Sequence, residues 1–113
     1  MNTLNENDVA ALNGEITHSA NALLSRQLPF LDGIRRLNAL GHEVSRSGHD
    51  ADFVIFVVVD SETDHIPNVG ARAMCTQTWL DQCDNEVKAV EEFYGQDIDA
   101  ACKKLIERFS NGA

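Results

Sequence analysis

What the chain lacks narrows its class first. Its cysteines, Cys75, Cys83 and Cys102, are odd in number and contain no CxxC pair. That argues against a zinc ribbon or a thioredoxin-like redox site and favours thiols buried as small hydrophobes. No apolar run approaches the roughly 20 residues of a membrane span. The start, Met1 to Asp8, has neither the basic head nor the apolar middle of a secretory signal, so a cytoplasmic location is expected. Phosphate-cradling glycines are missing, since neither GxGxxG nor GxxxxGKS/T occurs, and no cofactor is expected. Neither HExxH nor a Gly-x-Ser-x-Gly elbow is present, so Ser61 has no context as a nucleophile. Basic residues are scarce, 9 against 18 acidic, for a formal charge of −9. Such a field repels a phosphate backbone and disfavours nucleic acid, while it suits a basic protein partner.

What remains is the composition of an ordinary globular domain. Hydrophobic residues make up 43% and charged residues 24% of 113, enough for one domain with a core that needs no staple. Apolar residues at Val9, Leu12, Ile16, Ala20, Leu23, Leu24 and Leu28 recur at helical spacing. Pro29 interrupts them, and Phe30, Leu31, Ile34, Leu37 and Leu40 resume, with Gly41 placed to end a second helix. A short strand at Glu43 to Arg46 and a turn at Ser47 to Asp50 are then expected. Phe53 to Val59 is an unbroken run of β-branched and aromatic residues, the strongest strand signal in the chain. Val69 to Met74 returns as another strand, after a turn at Pro67 to Gly70. Beyond it, Cys75, Trp79, Cys83, Val87, Val90 and Tyr94 form a helical stripe, broadened by Leu80 and Phe93 and ended by Gly95. Asp97 caps a last helix that buries Ile98, Cys102, Leu105 and Phe109.

The chemistry-bearing residues concentrate after the central run. Asp60, Glu62 and Asp64 alternate, so in an extended segment they share a side and present carboxylates suited to a hard cation. A calcium loop is not formed, because His65 replaces its glycine and Ala71 its final glutamate. His65 beside Asp64 is a candidate acid–base pair, whereas His18, His42 and His49 are scattered. Arg72, following Pro67 and Gly70, is placed to fold back onto Asp60, Glu62 or Asp64. Phe56 to Asp64, with Pro67, Gly70, Arg72 and Trp79, resembles a pattern in small, functionally uncharacterised bacterial proteins with an "SETD" loop. The resemblance covers about the central quarter of the chain. It implies a bacterial, cytoplasmic setting and carries over no activity, cofactor or site residue.

The expectation is a single α+β domain over residues 1–113: N-terminal helices, an antiparallel sheet of two or three strands, and two C-terminal helices. Open sheet edges predict a homodimer. Function reads as a non-enzymatic, acidic protein-interaction or regulatory domain, one form being an immunity-type inhibitor of a basic partner. The alternative is a small metal-binding or enzymatic domain built on Asp60, Ser61, Glu62, Asp64 and His65.

Overall fold

Helical spacing in the N-terminal third builds α1 (Glu6–Leu24), which buries Ile16, Ala20 and Leu23. The computed structural model describes residues 6–45 and 50–110. At the joint after α1, Arg26 adopts a left-handed φ of 61°, uncommon for a residue with a Cβ. Its guanidinium holds Glu91 at 2.8 Å and Asp99 at 3.0 Å, and donates to the Leu23 carbonyl. Three partners therefore fix the conformation of this joint. The break expected at Pro29 is present, and α2 (Phe30–Val44) begins on its far side. Its buried face reads Phe30, Leu31, Ile34, Leu37 and Leu40.

Gly41 does not end α2, which runs on to Val44. The glycine serves packing instead. A Cβ there would stand 2.6 Å from the Phe53 ring, so the missing side chain is what lets the following segment lie against the helix.

The expected sheet is absent: among the described residues there is no strand. Glu43 and Val44 are helical, while Arg46 to His49 of the first expected strand and turn lie outside the described residues. Residues 51–53 form a single 3-10 turn, and Val54–Glu62 form α3. The physical reason is that an unbroken apolar run fits either period. Phe53, Phe56, Val59, Thr63 and Ile66 are buried at spacings of three and four, a helical face that a wholly apolar stretch conceals. Burial of that face overrides strand propensity, and Val54 and Val58 are left facing solvent. Asn68 accepts from the Ala71 N–H at 2.8 Å and opens α4 (Val69–Arg72), where a strand from Val69 to Met74 was expected.

The two expected C-terminal helices are one, α5 (Gln77–Ser110), which passes through Gly95 and Asp97 without a break. Thirty-four residues at about 1.5 Å each give roughly 50 Å, close to the molecule's longest dimension of 48 Å. Along it lies α1, with α2 against α1 and α3 packed on α2 and α5. Ile98, Cys102 and Leu105 carry its rear half into the core. Burial pushes the Cys102 thiol up to about 12.

Arg108 closes this end. It donates to both carboxylate oxygens of Asp50 at 2.9 Å and to Asp52 at 2.8 Å, holding the 3-10 turn to the end of α5. The Asp50 carboxyl is held below its usual 3.8, chiefly by that hydrogen bond. A depressed folded-state value stabilises fully above the unfolded pKa, and the contribution is lost as pH falls through the folded one. Urea midpoints followed from about pH 5 down to about pH 2.5 should therefore fall less steeply in Arg108→Ala than in the wild type. At neutral pH the same variant should lose only about 1 kcal/mol, because the pair is partly screened by solvent.

Two glycine substitutions test the packing. Gly41→Ala must displace Phe53 and should destabilise by about 1–3 kcal/mol in chemical denaturation. Gly14→Ala, where an added Cβ meets nothing within 4 Å, should stabilise by up to about 1 kcal/mol. Equal effects at the two positions would contradict the contact between α2 and the 3-10 turn.

Candidate functional site

The residues from Asp60 to Arg72 do not form one acidic loop. Asp60 to Glu62 are the last turn of α3, where successive side chains rotate by about 100°, so alternate carboxylates diverge. Asp60 faces α2: it accepts from Asn38 Nδ2 at 2.7 Å and lies 3.8 Å from Arg35 Nε. Arg35 also donates to the carbonyls of Thr63 and Ile66, both at 2.9 Å. Arg35 thus does for the end of α3 what the sequence suggested for Arg72. Ser61 and Asp64 are exposed. Among the described residues no group of three or more His, Cys, Asp or Glu side chains is arranged to hold a metal ion.

Three of the singled-out residues share a different task. The Tyr94 hydroxyl donates to Glu62 at 2.9 Å, a contact that pushes the phenol pKa up. His65 pairs through Nε2 with Glu86, and its ring sits 6.4 Å from that of Trp79. Arg72 forks onto Asp84, its two terminal nitrogens donating at 2.9 and 3.2 Å, and this holds the Asp84 carboxyl below its usual range. The expected return of Arg72 to Asp60, Glu62 or Asp64 is replaced by this longer reach. Glu62, His65 and Arg72 together brace the front half of α5 from one side.

That front half is thinly buried. Between Gln77 and Asp97 only Cys83 is fully enclosed, with Val87, Val90 and Tyr94 half-buried behind it. Thr76 Oγ1 accepts from the Trp79 N–H at 3.2 Å and so fixes where the helix starts. Trp79, Glu86 and Phe93 are spaced by sevens, which puts them along one stripe, with the aromatics about 21 Å apart. Trp79 is 40% and Phe93 77% exposed, although the sequence pattern placed both in the core stripe. Ahead of this helix in the chain, Val69 and Met74 are exposed as well. This half of α5 carries Asp81, Asp84, Glu86, Glu91, Glu92 and Asp97 against one lysine of its own, Lys88; Arg72 and Arg26 pair with Asp84 and Glu91, while Asp81, Glu92 and Asp97 are exposed. The signal available in sequence was the seven-residue recurrence, which crosses the core stripe at Trp79 and Phe93.

Comparison with protein families, with curated proteins and with solved structures finds no match. No helix among the described residues is long and apolar enough to cross a membrane.

The phase of α5 can be read chemically. Cys83 is buried beneath the braces, its thiol pKa raised by desolvation and then by Glu86, and Cys102 is buried in the rear half. Cys75 is half-exposed ahead of the helix. A thiol reagent should label Cys75 in the native protein and reach Cys83 and Cys102 only on unfolding. Rapid native labelling of Cys83 would mean that the front half of α5 is rotated from this description.

Proposed function

We propose that the protein is a non-enzymatic cytoplasmic interaction domain whose α5 face docks a basic protein partner. The observation that carries this reading is the exposure of Trp79 and Phe93 on one stripe of a helix rich in carboxylates. Large exposed aromatics at fixed spacing are the residue types that dominate binding energy when a partner encloses them. The surrounding carboxylates set the sign of that partner. They speed encounter with a cationic surface and penalise an acidic one.

A second copy of the chain fits less well. Antiparallel two-fold pairing along the stripe would bring Glu86, midway between the aromatics, against its own counterpart. The dimer expected from open sheet edges loses its basis, since no described residue forms a strand. The metal or catalytic alternative loses support because Asp60, Glu62 and His65 are engaged with three separate partners. An inhibitor of a basic toxin is one concrete form of the supported reading.

The test compares affinity capture by the wild type and by a Trp79→Ala/Phe93→Ala double variant, followed by calorimetry on the protein recovered. A basic protein should be retained by the wild type and bind the double variant at least about thirtyfold more weakly. Its association rate should fall as salt rises. Equal binding to both proteins, or an acidic and salt-insensitive partner, would overturn the reading.

A further inference from the structure

The molecule has a second receptive surface, away from α5. A cleft of about 440 Å³ opens between α1 and α2 beside the joint, within the size range of small-ligand pockets. Its floor is apolar, formed by Ala22 and Leu28. Around that floor stand His18, Ser19, Gln27 and Asp32, and none of these side chains has a hydrogen bond or ion pair among the described residues. Ser19 is the telling one. The residue is only 4% exposed, and its hydroxyl has no protein partner but opens to solvent through the cleft. A recessed hydroxyl that the protein does not engage is free to hydrogen-bond to whatever occupies the cleft. Within the same cleft Arg36 is already paired with Glu15, at 3.1 Å. Asp32 is therefore the charge left without a counter-ion at this site, and the net charge of −9 adds to its sign.

We infer that this cleft binds an ammonium or guanidinium group carried on a short apolar body. The cation meets the Asp32 carboxylate, the Ser19 hydroxyl and the Gln27 amide oxygen supply further acceptors, and the apolar body covers Ala22 and Leu28. An anion is disfavoured, since the one guanidinium present is neutralised by Glu15. The same head group occurs on a free amine and on a lysine or arginine side chain of a peptide.

Amide NMR titrations distinguish these sources and test the site. The probes are n-butylamine and n-butylguanidine, with n-butanol and butyrate as controls, and a capped Gly-Lys-Gly peptide. The cations should give saturable shifts at Ser19, Ala22 and Gln27, and Asp32→Asn should weaken them about tenfold, while melting as the wild type does. Should that variant melt early, Gln27→Ala, at an exposed position, provides the second measurement and should also weaken binding. Tighter binding of the peptide than of butylamine assigns the site to a basic side chain, and the reverse order to a free amine. The Trp79→Ala/Phe93→Ala variant should bind the cations unchanged, which keeps this inference separate from the α5 face. Butanol or butyrate binding as well as butylamine, shifts elsewhere, or an unchanged affinity in both Asp32→Asn and Gln27→Ala would overturn it.

Discussion

The seating of Phe53 on Gly41 is the contact on which the rest of the arrangement depends. Phe53 occupies the space that the glycine leaves open on α2, and its ring meets Phe56 at 6.3 Å and Phe109 at 6.0 Å. One side chain thereby joins α2, α3 and the end of α5. Arg108 lies over Phe109 at 4.6 Å while gripping Asp50 and Asp52, so the apolar junction carries a polar clasp on its outer side. Once Phe53 is seated, the direction of α3 is set. That direction delivers Glu62 and His65, nine and twelve residues further along the chain, to the side of α5.

The sequence was legible where one periodicity dominated. In α2 the spacing of Phe30, Leu31, Ile34, Leu37 and Leu40 named both the element and its buried face. It was illegible where every residue was apolar. Phe53 to Val59 satisfies periods of two and of about three and a half equally, and only the burial of Phe56 and Val59 against neighbouring helices selects between them. Gly41 and Gly95 misled for a related reason. Each fits the pattern of a terminator, but one is a point of close approach and the other sits inside a helix long enough to carry it. Of the residues expected to form one loop, Glu62, His65 and Arg72 each pair with α5 and not with one another. The partners lie 32, 21 and 12 residues away, on a helix whose phase depends on tertiary packing that no local pattern encodes.

The long helix divides into halves with different duties. Its rear half buries Ile98, Cys102 and Leu105, and removing those contacts would remove the core itself. Its front half encloses little beyond Cys83, and is held by side chains reaching in from Glu62, His65 and Arg72. A helix held by polar braces rather than by a deep core leaves part of its outer face uncovered, even where His65 reaches Glu86 beside Trp79. Trp79 and Phe93 stay exposed there, where in a conventionally packed helix such residues would be drawn inward.

The distribution of positive charge sharpens the same division. Arg26, Arg35, Arg36, Arg72 and Arg108 each stand beside a carboxylate on another element, so these five are engaged in holding elements together. Carboxylates at these joints are neutralised locally, and the excess negative charge is left on outward positions such as Glu92 and Asp97. The two sets respond differently to salt. Arginine–carboxylate contacts act over hydrogen-bond distances, whereas the field of the outward carboxylates acts over a Debye length of about 8 Å at physiological ionic strength. Salt therefore acts most on the long-range field of the outward carboxylates and less on charges held within hydrogen-bond distance of each other.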